Sequence, residues 1–344
     1  MTGQMGFFDL ADRYEQLSKY GDVLERLNNV VDWQVFTPLI NRAFDKVKKS
    51  PAGRKPYHRL MMFKVLVLQS LYNLADGQTE YQIKDRLSFM RFLGLSLDSD
   101  VPDEKTIWLY REVLTQSKIL EKLFKRFDQY LAEKGMCAEL GHIVDATIVE
   151  VPRQRNSRDD NAEIKKGKTP ESFARNPHKS RQKDIDARWT MKGGQTFYGY
   201  KNHVNIDTKH KIIRSYEITA ANESDKHQLE KLIDAVPDND KSVWADSAYY
   251  SDEQESQLKE KGYRSRLIRK PTKNLPEGSP IVRENVRRSK IRKRVEHVFG
   301  FMQNSMNGKL FRAIGMARAK TKLGLKNLVH NFCRYEQICR IGVS

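Results

Sequence analysis

Apolar positions recur three and four residues apart from Asp9 to about Lys134, and give way to alternation at Leu140. The first pattern predicts helices and the second strands, because side chains return to one face every ~3.6 residues in a helix and every second residue in a strand. Helical stripes occupy 9–29 (Leu10, Tyr14, Leu17, Leu24, Leu27), 33–47, 57–74 and 79–92. Ser50–Pro56, with two prolines and a glycine, breaks the second from the third, and a turn at Asp76–Gly77 breaks the third from the fourth. One more helix is predicted from Asp103, a candidate N-cap, to Lys134. Residues 57–92 read equally well as a helix-turn-helix and as a helical subdomain that packs on its neighbour.

Beyond Leu140, LGHIVDATIVEVP alternates and is β-branched, which predicts a strand followed by a second one or by its own continuation. Asp145 sits inside it. A carboxylate there is costly unless paired or bound to a cation, and Ala146 and Thr147 are not turn formers. Arg153–Met191 has no periodicity and is predicted to be a long, mobile, basic loop. Gln195–Ile206 and Ile212–Thr219 then form a hairpin around Asp207. Ser224–Val236 is a predicted helix, and Lys241–Ala245 a short strand that ends at Asp246. A further helix, a strand at Tyr263–Ile268 and a loop with three prolines lead to a last helix at Ser289–Met306. The expected organisation is a helical N-terminal domain (1–135) followed by an α/β domain with a mixed sheet (136–344). The latter carries the basic loop at about 153–192 and a C-terminal helical region.

In the Ser289–Met306 helix, Ile291, Val295, Val298, Phe299, Met302 and Met306 fall within an arc of about 100°. Arg292, Glu296 and Gln303 line the edge of that stripe. Two readings follow for Glu296. It is either half of an exposed ion pair with Arg292, worth ~0.2–0.5 kcal/mol, or a carboxylate facing a cleft.

Charge narrows the partners. The 344 residues carry 62 Lys and Arg against 44 Asp and Glu, a net +18. Residues 264–326 hold 18 basic against three acidic side chains, 18 − 3 = +15, and 153–192 hold 12 against six, 12 − 6 = +6. A polyanion, most simply nucleic acid, is the implied partner. Cys137, Cys333 and Cys339 have no ligand spacing, which predicts a reducing cytoplasm and no zinc site. No run reaches ~18 apolar residues, so no membrane span is expected.

Carboxylates on a basic surface suit Mg²⁺, a hard cation that takes a few carboxylates plus substrate phosphate. Asp145, Asp246 and Glu296 stand in suitable contexts: inside a strand, at a strand end and on a helix edge. Glu150 and Asp207 are spare acids, Asp225 reads as a helix-start residue rather than a ligand, His203 reads as a core histidine, His227 as solvated and Trp244 as core. Tyr249 and Tyr250 read equally as packing residues and as stacking surfaces for a base.

The flanking residues carry more than the spacing does. IVDATIVEVP, VWADSAYYS and RKRVEHVFGFM resemble the three acidic motifs of bacterial insertion-sequence transposases with a DDE triad, on an RNase H-like fold; insertion-sequence family five is the nearest group. Arg59, DGQTEYQIKDRLSFMRFLGL and VPDEKTIWLYRE resemble that group's amino-terminal domain. The resemblance implies that Asp145, Asp246 and Glu296 hold Mg²⁺, with Mn²⁺ as a substitute. It also implies DNA cleavage at terminal inverted repeats, joining of the freed 3′-hydroxyls to target DNA, and at least a dimer on double-stranded DNA. Arg292 matches the Arg of the family's Tyr-Arg-Glu-Lys signature. Ser289 and Gln303 stand where the Tyr and Lys are expected, leaving Lys290, Lys293 and Arg294 as candidate phosphate contacts. A nuclease that cuts without joining and a DNA-binding protein that has lost catalysis are the rival expectations.

Overall fold

The computed structural model describes residues 9–45, 55–137, 141–234, 242–270, 279–308 and 311–342. The chain divides into two units, 1–130 with 331–344, and 131–330.

The first unit is helical. It contains α1 (Asp9–Lys19), α2 (Val23–Val30), a 3₁₀ turn (Trp33–Phe36), α3 (Thr37–Phe44), α4 (Arg59–Tyr72), α5 (Asp76–Asp85), α6 (Leu87–Leu93), α7 (Glu104–Ser117) and most of α8 (Leu120–Glu133). Helix α4 is buried on nearly every side, so it is the core around which the others lie. Trp33, Phe36, Phe63, Phe92, Phe127 and Phe332 interlock with centroid spacings from 4.7 to 6.5 Å. Arg111 clamps Asp76 through both guanidinium nitrogens, at 2.6 and 2.8 Å.

Several single helices expected from the stripes are pairs. The 9–29 stripe breaks at Gly21, the 79–92 stripe at the extended Arg86, and the 103–134 stripe at Lys118, which takes the left-handed conformation. Asp76 and Gly77 open α5 rather than forming a free turn, and Asp103 caps α7 by accepting from the Thr106 amide. Most of the Ser50–Pro56 break lies outside the described residues.

The second unit is built on a mixed sheet. In chain order come β1 (His142–Glu150), α9 (Arg158–Lys165), α10 (Glu171–Ala174), α11 (Pro177–Gln182), β2 (Arg188–Lys192), β3 (Gln195–Asp207), β4 (Ile213–Ala220), a 3₁₀ turn (Asp225–Gln228) and α12 (Leu229–Asp234). After them follow β5 (Ser242–Ala245), α13 (Asp252–Glu260), β6 (Arg264–Ser265), α14 (Pro280–Arg292), α15 (Arg294–Gly300), a π-helical turn (Phe301–Ser305) and α16 (Met316–Ile341), whose last turns belong to the first unit. The strand order is β2-β3-β1-β5-β6, with β4 also on β3. Strands β1 and β3 are antiparallel over nine pairs, whereas β1, β5 and β6 run parallel.

Alternation along β1 sends Val144 into one apolar layer with Val243, Ala245, Leu232 and Leu258. Val149 and Val151 face the opposite layer, with Tyr200, Phe311 and Leu323. Gly141 opens β1 in a left-handed conformation, and a Cβ there would meet the Ser242 carbonyl at 2.5 Å. Only glycine lets β1 start this close to β5.

Three expectations need correction here. Arg153–Met191 is not a loop throughout: it carries α9, α10, α11 and the strand β2. Buried Asp184 organises its return to the sheet, accepting the Tyr200 hydroxyl at 2.7–2.8 Å and the Asp186 and Ala187 amides at 3.0 Å each. Ser289–Met306 is not one helix, since α14 ends at Arg292 and α15 starts at Arg294. Its stripe nevertheless packs as expected, with Val295, Val298, Met302 and Met306 buried. Finally, Trp244 is half-buried rather than core. The leucine-to-proline strand reading resolves into one continuous β1, and two of the three loop prolines lie outside the described residues.

Candidate active site

Asp145 lies in the middle of β1, and Asp246 directly follows β5. The parallel register pairs Val144 with Ala245, so the next step along both strands sets Asp145 beside Asp246. In-register neighbours on parallel strands point to the same face and lie ~4.8 Å apart. The sheet therefore brings two carboxylates together although 100 residues of chain separate them. Asp246 also accepts the Ala248 amide at 2.6 Å, which closes the turn after β5.

Glu296 arrives from α15, which packs on β1. Arg292 links the acids: its Nη1 donates to Asp145 Oδ2 at 2.5 Å and its Nη2 to Glu296 Oε1 at 3.2 Å. Asp145 and Arg292 retain only 13% and 17% of their side-chain exposure, whereas Glu296 keeps 56%. The ion-pair reading of Glu296 is present in this geometry. It pairs with Arg292, and that pair sits against a buried carboxylate.

Electrostatics at Asp145 are contested. Burial raises its pKa most, and the neighbouring Asp246 charge raises it further. Arg292, the Ala146 amide and Lys192 oppose that rise. Net, the proton affinity stays above that of an ordinary aspartate, as expected for a carboxylate that lacks a strong enough cation. Lys192 belongs to the β2–β3 hairpin, so that hairpin is within electrostatic reach of the site.

Of the two readings of Tyr249, packing and stacking on a base, its place in the apolar layer of Val144 and Leu232 fits packing. It is 1% exposed, and its hydroxyl has no hydrogen-bond partner among the described residues. Burial first, then the charges of Asp225, Asp145 and Asp246, hold its proton on strongly. The signal available was its place in ADSAYY, three residues past Asp246.

The other candidates fall elsewhere. His203 is fully buried and bonds Thr219 at 2.9 Å; His227 is exposed. Asp207 is buried against Arg214 at 3.2 Å, and Asp225 holds Lys201 at 2.8 Å. Glu150 is exposed at the end of β1, and Tyr250 is half-buried, donating to Asp252 at 2.9 Å. Lys290, Lys293 and Arg294 are exposed around the α14–α15 junction, with Arg294 also donating to the Thr208 carbonyl at 2.8 Å.

The donor chemistry fits a hard cation, because every candidate ligand is a carboxylate oxygen. Among the described residues, however, no three His, Cys, Asp or Glu side chains already converge as a metal-binding group. The Arg292 guanidinium lies between Asp145 and Glu296 instead. No helix among the described residues is long and apolar enough to cross a membrane.

Residues 138–332 match the family described as Transposase DDE domain, and residues 12–113 match Transposase domain (DUF772). No solved structure matches the chain. The first match spans more than half of the 344 residues and contains Asp145, Asp246 and Glu296, and such families imply a DNA-binding transposition enzyme: the chain belongs to the insertion-sequence DDE transposases.

Proposed function

We propose that Asp145, Asp246 and Glu296 are the catalytic carboxylates of this transposase and hold Mg²⁺, with Mn²⁺ able to replace it. The observation that carries the reading is the β1–β5 register, which sets Asp145 beside Asp246 on the sheet face that α15 covers. Glu296 completes the set by leaving Arg292, a release that costs little because an exposed ion pair contributes about 0–1 kcal/mol. When bound, a pair of divalent cations activates the attacking oxygen and neutralises the leaving oxygen of a phosphodiester.

The chain's own residues do the rest. Asp145 and Asp246 fix the position of the reacting phosphate relative to the sheet. Arg292, freed from Glu296, turns its second nitrogen toward a phosphate oxygen, and Lys290, Lys293 and Arg294 continue that positive track along the DNA. The helical residues 1–135 bind the terminal inverted repeats, and 136–344 cut the strand and join the 3′-hydroxyl to target DNA. At least two copies act together, since two ends must be paired. The motif resemblance to insertion-sequence family five supports this division of labour.

Asp246→Asn tests the reading on duplex DNA carrying the inverted repeats that flank the gene. Metal-dependent cleavage should disappear while DNA binding stays measurable; an Asp246→Asn protein that cleaves like the wild type rejects the site. Joining of precut ends separates a transposase from a nuclease that only cuts.

A further inference from the structure

A second feature lies on the same face of the sheet as Asp145. Two residues further along β1, a cleft of about 260 Å³ opens between Thr147, the π-helical turn and α16. Its walls are mixed. Phe299, Met302, Phe311 and Leu323 give an apolar side, while Asn202 and Gln303 contribute amides. Gln303 brings no charge, and the single basic group at the wall is Lys326 of α16.

Lys326 is held there by its surroundings. Its neighbour Asn327 exchanges amide hydrogen bonds with Asn202 of β3, at 2.8 and 3.1 Å, which fixes that turn of α16 on the sheet. The ammonium lies against the backbone of Gly308, where an added Cβ would come within 2.5 Å of Nζ and 2.3 Å of the Met302 carbonyl. Lys326 has no carboxylate partner among the described residues. Burial alone holds its pKa down, at about 8. A lysine kept in a cleft without a counter-charge loses hydration and gains nothing in return, unless an anion enters. Glu150 also lines the cleft, but it is exposed and makes no ion pair with Lys326 among the described residues.

We propose that this cleft is a subsite for one nucleotide unit of the bound DNA strand, with Lys326 neutralising its phosphate and the Phe299–Phe311 side covering the sugar. The cleft is too small for a duplex and adjoins the strand position that carries Asp145. It therefore takes a nucleotide next to the one being cut, and Lys326 acts as a positioning residue for the scissile phosphate. This inference rests on the DNA reading above.

Lys326→Met removes the charge and keeps the length; Lys326→Arg keeps the charge. Binding of a labelled duplex carrying the flanking inverted repeats is measured against salt for all three proteins, together with thermal unfolding without DNA. One phosphate contact releases about one counterion, so Lys326→Met should bind roughly tenfold more weakly at 0.1 M salt, with a log–log salt slope shallower by about one. Lys326→Arg should keep the wild-type slope. Lys326→Met should melt no lower than the wild type, because it removes a poorly hydrated charge. Wild-type affinity and slope in Lys326→Met would overturn the subsite alone. A lower melting temperature with an unchanged slope would assign Lys326 to the fold and overturn it equally. A wild-type protein that binds no DNA would overturn the transposase reading and this one with it.

Discussion

Arg292 reaches Asp145 across 147 residues of chain and holds it at 2.5 Å, while the same guanidinium touches Glu296 at 3.2 Å. One cation thus stands between two acids of the candidate site, and its Nε–H is buried with no hydrogen-bond partner among the described residues.

Arg292→Gln should therefore expose the cost of burying Asp145. Removing one partner of a fully buried ion pair costs about 3–5 kcal/mol, and the residual exposure here lowers the expectation to about 2–3 kcal/mol. For a chain of this size that is a fall of roughly 5–10 °C in melting temperature. Added Mg²⁺ should raise the melting temperature of the variant more than that of the wild type. Equal metal responses would remove Arg292 from the role of internal counter-ion.

Glu296→Gln should separate chemistry from folding. Its side chain is 56% exposed, so the stability change should stay under ~1 kcal/mol. Metal-dependent cleavage should fall by at least on the order of 10²-fold, the usual scale for a group that acts on the transition state. Loss of both stability and cleavage would point to a structural carboxylate instead.

Tyr200→Phe should loosen the return of the insertion to the sheet. The phenol bonds both oxygens of buried Asp184, and a hydrogen bond to a charged group contributes about 1.5–3 kcal/mol. Limited proteolysis should cut faster within 153–187 in the variant, with β1 and β3 remaining protected. Unchanged cutting would mean that the Asp186 and Ala187 amides suffice to hold Asp184.

His203 supplies an acid-sensitive element. Burial pushes its pKa down to about 4, from the ordinary histidine value of 6.5. Below pH 6.5 the unfolded chain takes up a proton that the folded one refuses, so stability is present above 6.5 and is lost as pH falls toward 4. At pH 5 the loss is about 2 kcal/mol relative to neutral pH. In His203→Gln the difference in unfolding free energy between pH 7 and pH 5 should shrink by that amount. A difference equal to the wild type's would show that other groups carry the acid response.

Much of this was legible from the amino acids alone. Asp145 stood out because an acid inside a β-branched alternating run conflicts with its surroundings, and the structure resolves that conflict by pairing it with Arg292. The stripe from Val295 to Met306 read correctly because burial follows side-chain period even where the backbone changes from α to π. The helix breaks were hidden for a matching reason: Arg86 and Lys118 are good helix formers, and only packing turns the chain there. Strand β2 was missed although Gly193–Gly194, flanked by Trp189 and Phe197, is a strong two-residue hairpin signal. Tyr198, Tyr200 and Asp184 gave no such signal, because their bonds join distant segments.

The excursion from Pro152 to Ala187 leaves and rejoins the sheet at a single point. Val151 donates to the Tyr198 carbonyl at 3.0 Å, and Arg188 pairs with Gly199 one residue on. The sheet consequently cannot count how many residues lie between. Closing a loop costs only about 0.6 kcal/mol more for each doubling of its length, so this stretch is free to grow, shrink or be exchanged while the Asp145–Asp246 spacing stays constant. The sheet frame and its basic appendage can therefore change on separate evolutionary clocks.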